Sequence, residues 1–438
     1  MEAKEKKMEK LSQSITVKLI VVCVLTLLLL IPTAMIESLI SERKQRSEET
    51  VEKINNKWSR AQVLCAPVLS IPFTTTHVDA NGTVTHNNHL YHITPETLNV
   101  DATLFPEERH YGIYKTILYK SELTLNGAFD IPELPSEYNG VLHWHKAYIR
   151  LGFSDLRGVT NNIELNVNGT SFSAAVGNAN DRLMGKELFV YLDSVMTGKP
   201  ATSLEYSCTI NLNGSSSLNF IPIGKTTKVH VSGAWNAPGY IGNFTPDHTL
   251  TESGFEANWS VLRFNRSIPE TWVDSYVDGF GDTSFGVNLV DVVDHYQQNT
   301  RSAKYALMFV ALTFVVFFFV EVLTKRRIHP IQYLLVGIAL ILFYSLLLSI
   351  SEQISFAWAY LIASVSTIGM ITLYTKSIFK SWRQTGILTF TLSLLYIFLY
   401  VILQLEDIAL LIGSIGLFAI LGVIMYCSRK ISWYKTDV

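Results

Sequence analysis

The chain is poor in charged residues and in cysteine for its length. Charged side chains make up 16% of its 438 residues and hydrophobic ones 48%, whereas ordinary soluble proteins carry roughly 25% charged residues. This balance argues against a cytosolic globular enzyme, a disordered chain and a basic nucleic-acid-binding protein. Its four cysteines are too few for a disulfide-rich secreted scaffold. The composition therefore indicates a membrane protein with a sizeable water-facing part.

Charge is also distributed unevenly along the chain. Residues 41–300 contain 19 Lys and Arg and 28 Asp and Glu, whereas the remaining residues contain 16 and 9, out of 35 basic and 37 acidic residues in all. The middle of the chain is thus acidic and the flanking apolar parts are basic. This pattern predicts one large acidic domain in water, inserted between segments that cross a lipid bilayer.

Six apolar runs are long enough to cross a membrane, which takes about 20 mainly apolar residues. They are Val17–Ile36, Tyr305–Leu323, Ile331–Ile350, Ile354–Tyr374, Gly386–Leu403 and Ile408–Cys427. The first run follows a basic stretch and could be a cleaved signal peptide, but no small-x-small cleavage site follows it. We therefore predict an uncleaved signal anchor, followed after the acidic domain by a block of five helices.

The loops between these runs alternate between basic and non-basic. Lys and Arg concentrate in the cytoplasmic loops of membrane proteins. The basic loops and tail carry Lys325, Arg326 and Arg327, then Lys376, Lys380 and Arg383, then Arg429, Lys430 and Lys435, whereas residues 351–353 and 404–407 contain no basic residue. The alternation predicts a multi-pass protein of the bacterial inner (cytoplasmic) membrane with both termini in the cytoplasm. Residues 41–300 would then lie outside the cytoplasm, in the periplasm of a Gram-negative cell.

This topology divides the chain into five parts. We predict a cytoplasmic N-terminal tail over residues 1–16, a transmembrane signal anchor over 17–40, an extracytoplasmic β domain with a helical stalk over 41–300, a five-helix transmembrane block over 301–428 and a cytoplasmic tail over 429–438.

Alternating polar and β-branched or aromatic residues predict strands in the water-facing domain. The clearest stretches are Ser121–Phe129, Asn162–Val167, Thr202–Leu212, Lys228–Ala234 and Phe255–Phe264. Candidate turns between strands are Asn81-Gly82, Asn126-Gly127, Asn168-Gly169, Asn213-Gly214 and Pro238-Gly239. The spacing favours an all-β, sandwich-like fold, built either as one sandwich or as two packed lobes. Residues Asn288–Gln298 instead predict a helix that leads into the second apolar run.

The water-facing domain contains no convincing catalytic motif. The sequence has no G-x-S-x-G elbow and no H-E-x-x-H motif. His86, His89 and His92 are spaced by three, and His143 and His145 are expected to share a strand face; either set could bind a metal. No nearby Cys or carboxylate completes such a set, so we interpret these histidines as surface residues. The sequence therefore predicts a protein that is not an enzyme and has no metal or other cofactor.

Two cysteines fall in the water-facing domain and two in apolar runs. Cys65 and Cys208 would meet an oxidising compartment, where a disulfide between them is possible. Free cysteine also packs as a small apolar residue, so the sequence leaves this pairing open. Cys23 and Cys427 lie within the first and last apolar runs.

Acidic and amide side chains mark the predicted outer ends of two helical hairpins. These are Glu352 at one end and Gln404, Glu406 and Asp407 at the other. Acids within membrane segments often serve ion or proton paths; at the lipid–water boundary they equally serve as hydrated helix caps. A further acid, Glu321, precedes Lys325 by four residues, which predicts an i,i+4 pair at the opposite interface.

Several segments resemble one bacterial family. They include Pro95-Glu96-Thr97-Leu98-Asn99, Ser154-Asp155-Leu156-Arg157-Gly158, Phe220-Ile221-Pro222-Ile223-Gly224, Gln332-Tyr333-Leu334-Leu335-Val336-Gly337, Leu403-Gln404-Leu405-Glu406-Asp407 and Arg429-Lys430-Ile431-Ser432-Trp433-Tyr434. In these the chain resembles the CreD family of inner-membrane proteins, described as cell-envelope integrity or colicin-tolerance proteins. The resemblance implies six spans and expression under an envelope- or metabolism-responsive two-component system. It carries over no catalytic residue, because the family has no catalytic motif.

Two hypotheses for function follow. In the first, the protein is a non-enzymatic envelope-maintenance protein whose β domain binds a periplasmic or envelope partner or a ligand, and whose helices anchor it in the lipid bilayer. In the second, the five-helix block handles a lipid or transports a small molecule. The sequence leaves the partner and the oligomeric state open.

Overall fold

The computed structural model describes residues 15–78, 84–177, 183–193, 196, 198, 203–274, 280–289, 295–324, 328–405 and 408–429. The chain divides into two compact units. One combines Met1–Glu48 with Val293–Val438, and we call it the helical unit; the other is Glu49–Val292, the β unit.

The first helical segment extends well beyond the predicted anchor. Helix α1 spans Ile15–Leu28 and helix α2 spans Leu30–Trp58. Backbone hydrogen bonds continue through Leu29 between them, from Leu29 N to Leu25 O and from Thr33 N to Leu29 O. The apolar first part and the charged stalk are therefore one run of helix, because the residues that follow Ile40 are good helix formers such as Glu, Lys, Arg and Gln.

Six more helices complete the helical unit among the described residues. They are α3 (His295–Lys304), α4 (Ala306–Thr324), α5 (Pro330–Ser351), α6 (Phe356–Phe379), α7 (Trp382–Gln404) and α8 (Ala409–Ser428). Within the described residues five helices are long and apolar enough to cross a membrane, and a sixth span results if α3 and α4, bent by 44°, count as one.

Small residues allow α6 to pack closely in the middle of the helical unit. Ala359 and Ala363 are fully buried and Thr367 nearly so. They recur every four residues and therefore lie on one helix face. In lipid, close backbone approach replaces the hydrophobic effect as the source of helix association.

The β unit contains eighteen strands among its described residues. In chain order, β1 to β9 are Gln62–Val78, Val84–Ile93, Thr97–Tyr111, Tyr114–Phe129, Gly140–Leu142, Tyr148–Phe153, Glu164–Val167, Thr170–Ser173 and Ala175–Val176. Strands β10 to β18 are Lys186–Tyr191, Leu204–Ser215, Ser217–Phe220, Thr226–Gly233, Gly239–Gly242, Asp247–Thr251, Gly254–Leu262, Thr271–Val273 and Phe285–Asn288.

These strands form two sheets. The ten-stranded sheet has the order β14-β18-β12-β1-β6-β10-β9, with β2, β5 and β17 off this path; the eight-stranded sheet has the order β15-β16-β13-β3-β4-β11-β7-β8. Most pairs are antiparallel, but β1 pairs with β12 and β3 with β13 in parallel. Parallel neighbours require long connections, so distant parts of the chain meet in the middle of both sheets.

One apolar core serves both sheets. Strand β11 shows the alternation behind it: Leu204, Tyr206, Cys208, Ile210 and Leu212 are buried, and the residues between them point outward. Buried residues of both sheets belong to a single cluster. The question of one core or two lobes is thereby answered in favour of one core.

Of three predicted turns that the structure describes, one is confirmed and two lie inside strands. Asn168-Gly169 joins β7 to β8, and both residues have positive φ, 49° and 86°, as a tight hairpin turn requires. Asn126-Gly127 and Asn213-Gly214 instead lie inside β4 and β11, where no positive φ is needed. Asn81-Gly82 lies outside the described residues.

The predicted helix Asn288–Gln298 is only partly correct. Asn288 ends strand β18, where it pairs with Ser217, and helix α3 begins at His295. Residues 290–294 lie outside the described part of the chain. Asn288 is in a strand and not in a helix because β12 and β14 both pair with β18.

Candidate functional site

Glu352 lies at the end of α5, where it is the C-cap residue. Its carboxylate Oε1 accepts a hydrogen bond from the hydroxyl of Tyr296 on α3 at 3.2 Å. Its side chain is half-buried. The carboxylate is thus held by one neighbouring helix while remaining accessible, which fits a cap at the edge of the helical unit.

The other members of the predicted outer cluster have no contact with Glu352 that the structure describes. Gln404 is exposed at the last position of α7. Glu406 and Asp407 lie outside the described residues. The cluster of four therefore stays a prediction, of which Glu352 is the member with a defined hydrogen-bond partner.

Helix α3 adds buried polar residues that the sequence interpretation missed. Asn299 is 1% exposed and donates from Nδ2 to Ser351 Oγ at 2.8 Å. Asn299 Oδ1 and the Oγ of the buried Ser302 have no hydrogen-bond partner among the described residues. Such atoms usually bind ordered water. The signal in the sequence was the spacing of three between Tyr296, Asn299 and Ser302, which places them on one helix face.

Glu321 is the most buried carboxylate of the helical unit's described residues, at 3% exposure. Its Oε1 lies 2.6 Å from the ammonium of Lys18 on α1 and accepts the N–H of Ile328 at 3.3 Å. Its Oε2 accepts the hydroxyl of Tyr333 on α5 at 2.8 Å. The expected i,i+4 pair concerned Lys325, which lies outside the described residues. The structure instead pairs Glu321 with a lysine more than three hundred residues earlier in the chain.

This pair borders a cavity of about 320 Å³. Its wall consists of Val17, Lys18, Val21, Val22, Glu321, Ile328, His329, Pro330 and Tyr333. The side chain of Lys18 is 26% exposed and that of Glu321 is 2% exposed. Lys18 is therefore the accessible half of the pair. The sequence pointed to neither the pairing nor the cavity, since Lys18 looked like one more residue of the basic N-terminal stretch.

A second, larger cavity of about 520 Å³ lies between α4, α7 and α8. Its wall is almost entirely apolar, with Leu312, Val316, Phe319, Leu395, Ala419 and Ile424 among its residues. The polar exceptions are Gln384 and Thr391. Gln384 Oε1 is buried and has no partner among the described residues. A groove of this composition has the chemistry to hold a hydrocarbon chain.

The three histidines of β2 do not converge. Successive side chains on a strand alternate between faces, so His89 points away from His86 and His92. His86 contacts Thr76, His89 lies 2.5 Å from Asp274 Oδ2 and stacks on Phe73, and His92 is buried against Ser70 and Trp272. Among the described residues no group of three His, Cys, Asp or Glu side chains could hold a metal ion.

The expectation that His143 and His145 share a strand face is wrong. The short 3-10 helix Trp144–Lys146 interrupts the chain at this point. The two rings lie edge to face with centroids 6.1 Å apart. His143 contacts the hydroxyl of Thr74 at 2.7 Å, so it serves the packing of β1.

Cys65 and Cys208 are both free and buried. Cys65 lies on β1 of the ten-stranded sheet and Cys208 on β11 of the eight-stranded sheet. Burial raises the pKa of the Cys65 thiol strongly and that of the Cys208 thiol to about 12. Both are therefore kept as neutral thiols, which are poor nucleophiles.

The β unit has a buried ion pair of its own. Arg150 on β6 is fully buried, and its Nε and Nη2 donate to Glu187 Oε2 on β10 at 2.9 and 2.7 Å. The other carboxylate oxygen accepts the backbone N–H groups of Leu183 and Met184. Every oxygen of Glu187 is thus hydrogen-bonded, as a buried charge requires.

Among solved structures the likenesses are weak. A mutant M1 zinc metallopeptidase of Deinococcus radiodurans bound to a peptide substrate is 12% identical, with a TM-score of 0.24, over 45% of this chain and 42% of that chain. A two-domain M1 zinc metallopeptidase mutant bound to L-tryptophan is 11% identical, with a TM-score of 0.21, over 45% and 44%. Similarity at this level supports no conclusion about fold or chemistry.

Sequence comparison gives a much stronger result. Residues 14–434 match the profile of the family described as inner membrane protein CreD. The chain is also 33% identical over 414 residues to the inner membrane protein CreD of Escherichia coli (strain K12), which covers 93% of this chain and 91% of that protein. The apolar helices and the large β-sheet-rich unit fit a membrane protein of this kind, and the match along nearly the whole length shows that the chain belongs to the CreD family of inner membrane proteins.

Proposed function

We propose that this protein maintains the integrity of the cell envelope without acting as an enzyme, and that its β unit is the module that binds a partner or ligand outside the cytoplasm. The resemblance to a family described by envelope integrity motivates the role. The observation that carries the binding proposal is an open sheet edge. Among the described residues, strand β15, Asp247–Thr251, is the last strand of the eight-stranded sheet, and all five of its residues are exposed.

An open edge strand offers unpaired main-chain donors and acceptors to an incoming strand. Proteins protect such edges with charged residues, especially lysine, or with proline; β15 contains no lysine or proline, and its one Asp or Glu is Asp247 at its first position. Leu250, 56% exposed, adds an apolar contact beside the main chain. Strand addition uses both features, with main-chain bonds for affinity and side chains for specificity.

The proposed topology has six spans with both termini in the cytoplasm and the β unit on the other side. It is supported by the alternation of basic loops and by the link between α6 and α7, where Lys376 Nζ lies 3.5 Å from the centroid of the Trp382 ring. Tryptophan and basic residues favour the membrane interface. Reporter fusions after Arg383 should indicate cytoplasm and fusions after Gln353 periplasm; an active periplasmic phosphatase fused after Arg383 would refute the topology.

Complementation of a deletion strain tests the role of the β unit. A variant that lacks residues 57–290 should fail to complement the envelope defect at matched membrane levels. Leu250→Lys should strongly reduce complementation, because a charge at the edge opposes strand addition. Val141→Lys, at a side chain 68% exposed on β5, is the matched control and should complement fully. Equal effects of the two lysine substitutions would refute a role for the β15 edge.

The apolar cavity supports a second candidate function, the handling of a lipid by the helical unit. Ala419→Trp would fill this cavity, whereas Leu417→Trp, on the same helix but outside the cavity wall, is its control. If lipid handling is the function, Ala419→Trp alone should abolish complementation. If the β unit carries the function, both variants should complement.

Glu352→Gln separates the first proposal from transport through the helical unit. The half-buried Glu352 accepts one hydrogen bond from Tyr296, and glutamine keeps an acceptor at this position. We therefore expect normal insertion and an intact phenotype. Glu406→Gln is expected to behave in the same way if the outer acids are caps. Complete loss from either substitution at a normal membrane level would support an ion or proton path and contradict the anchoring role.

A further inference from the structure

We propose that the cavity beside Lys18 binds the phosphate group of an anionic phospholipid headgroup. The site is independent of the proposed envelope function. It lies entirely within the helical unit, between α1, the end of α4 and the start of α5. The cavity offers hydrogen-bond donors, its one described wall carboxylate is almost fully buried, and the rest of its wall is mainly apolar.

Glu321 offers a ligand almost no accessible surface. Its two oxygens accept three hydrogen bonds, from Lys18, Tyr333 and the backbone of Ile328. Its side chain is 2% exposed. The carboxylate therefore holds Lys18 in place from behind and presents almost no negative surface to the cavity.

Within the described part of the chain, Lys18 donates one hydrogen bond and retains further donors. An ammonium group carries three N–H donors and no acceptor. Among the described residues Glu321 is the acceptor for Lys18, which leaves two donors for another molecule. The side chain is 26% exposed in a wall that is otherwise mainly apolar. A phosphate oxygen supplies the charged acceptor that such a group binds best.

His329 contributes a second donor. Its Nδ1 accepts the backbone N–H of Ile331 at 3.3 Å and so caps helix α5. A neutral imidazole with an accepting Nδ1 carries its proton on Nε2. This N–H is the group that His329 can offer to a ligand. Lys18 and His329 thus reach the cavity from two different helices.

The apolar part of the wall favours a lipid over free phosphate. Val17, Val21 and Val22 of α1 form one side; Ile328, two residues before α5, and Pro330, its first residue, form another. These side chains offer no polar group to an inorganic ion, but they suit the first methylene groups of acyl chains. A volume of about 320 Å³ accommodates a headgroup rather than a whole lipid.

The test uses the full-length protein in a neutral detergent, with lipid binding followed by native mass spectrometry. Phosphatidylglycerol is titrated against phosphatidylcholine and, as a separate competitor, inorganic phosphate. We expect one phosphatidylglycerol to bind at least about tenfold more tightly than phosphatidylcholine, because choline cancels the phosphate charge and brings a second cation towards Lys18; tenfold corresponds to about 1.4 kcal/mol. Millimolar inorganic phosphate should not displace it. Equal affinity for the two lipids, or displacement by phosphate, would overturn the proposal.

Three variants separate a binding site from a purely structural ion pair. Lys18→Gln should weaken phosphatidylglycerol binding about tenfold. Glu321→Gln should leave it unchanged or tighten it, because the ammonium is then no longer neutralised. A structural pair predicts the same loss from both substitutions. His329→Asn keeps a good helix cap but removes the ring donor, and should weaken binding without unfolding the protein.

Lys304→Gln serves as the control, since Lys304 ends α3 and is not part of the cavity wall. It should leave lipid binding unchanged. If Lys18→Gln prevents folding, the decision rests on His329→Asn and Glu321→Gln. Unchanged binding in His329→Asn together with weaker binding in Glu321→Gln would overturn the proposal.

Discussion

Among the described residues, each unit has a carboxylate side chain no more than 4% exposed that pairs with a cation, and the two pairs differ in the exposure of that cation. In the β unit Arg150 and Glu187 are 0% and 4% exposed. In the helical unit Lys18 and Glu321 are 26% and 2% exposed. Both carboxylates have donors on both oxygens. The cations differ, because Arg150 is sealed within the sheet whereas Lys18 faces a cavity.

The type of cation in each pair fits how far that cation is exposed. Guanidinium donates two bonds to a single carboxylate in fixed geometry and is weakly hydrated, which suits a site that excludes water. Ammonium is compact and keeps spare donors. A sealed pair therefore serves the fold alone, while an open pair is available for binding. If this contrast holds, breaking the sealed pair should reduce stability more than breaking the open pair.

Breaking the sealed pair should be the most damaging change. Arg150→Met leaves the Glu187 carboxylate buried with only backbone donors, and we expect the free energy of unfolding of the β unit to fall by about 3–5 kcal/mol. Chemical denaturation of a fragment covering residues 57–290 measures this. Arg109→Met is the control, since the Arg109–Glu107 pair is more than half exposed and should contribute less than about 1 kcal/mol. A loss below 1 kcal/mol for Arg150→Met would show that the pair is not structurally important.

Breaking the open pair should cost less. Glu321→Leu removes the acceptor of both the Lys18 ammonium and the Tyr333 hydroxyl, and we expect a loss of about 2–3 kcal/mol. Lys18 can turn into its cavity, which limits the damage. Thermal unfolding of the full-length protein in detergent measures the change. The exchanged double variant Lys18→Glu with Glu321→Lys should recover part of the loss; no recovery would mean that the pairing itself does not contribute.

A third carboxylate, Asp155 of the β unit, should give a pH-dependent contribution. Hydrogen bonds from the Arg157 side chain and from backbone N–H groups lower its pKa below the ordinary 3.8. A pKa lower in the folded state stabilises the fold above the unfolded pKa, and this contribution is lost as the pH falls through the folded value. Asp155→Asn should therefore reduce stability at pH 7 by about 1–2 kcal/mol, and the difference should shrink as the pH falls below 3.8 and through the lower folded-state pKa.

Denaturation of the 57–290 fragment between pH 2 and pH 7 tests this dependence. Glu164→Gln is the control, because Glu164 is exposed on β7. This substitution should not change the free energy of unfolding at either end of the pH range. A constant difference between Asp155→Asn and the native sequence over the whole pH range would contradict the linkage.

The smallest effect is expected at the two buried thiols. Burial raises the pKa of Cys65 and Cys208, so neither should react with iodoacetamide at pH 8 in the folded fragment. Both should react fully after unfolding without added reductant, because both are free. Mass spectrometry counts the labels. A fragment that needs reductant before it can be labelled would reveal a disulfide.

Local patterns in the sequence predicted the elements but not the pairs. The alternation in Thr202–Leu212 predicted strand β11, and apolar length predicted the runs that became α5 to α8, because both signals reside within a few turns of the chain. The Lys18–Glu321 contact joins residues 303 positions apart, and no local pattern encodes it. The nearby Lys325 offered a closer and more obvious partner.

Two of the predicted turns failed for a related reason, as did the expected strand at His143 and His145. The β2 histidines were interpreted as surface residues, yet His92 is buried against Ser70 and Trp272. Asn126-Gly127 and Asn213-Gly214 have the composition of turns, yet each lies in a strand with partners along its length. Tertiary pairing decided these positions, and pairing partners cannot be read from one segment.

The position of β1 has a consequence for how the β unit is made. Strand β1 is among the first parts of this unit to be synthesised, but Gln62 pairs with Leu218, and β12 in turn pairs with Phe285–Asn288 of β18. The nascent chain can pair most of β1 with β2 and β6, but Gln62, Val63 and Leu64 lack their β12 partners until most of the unit has emerged. Contacts between such distant segments make folding slow and expose intermediates to aggregation. On the proposed topology this delay falls after translocation, so we expect the newly exported β unit to depend on chaperones outside the cytoplasm.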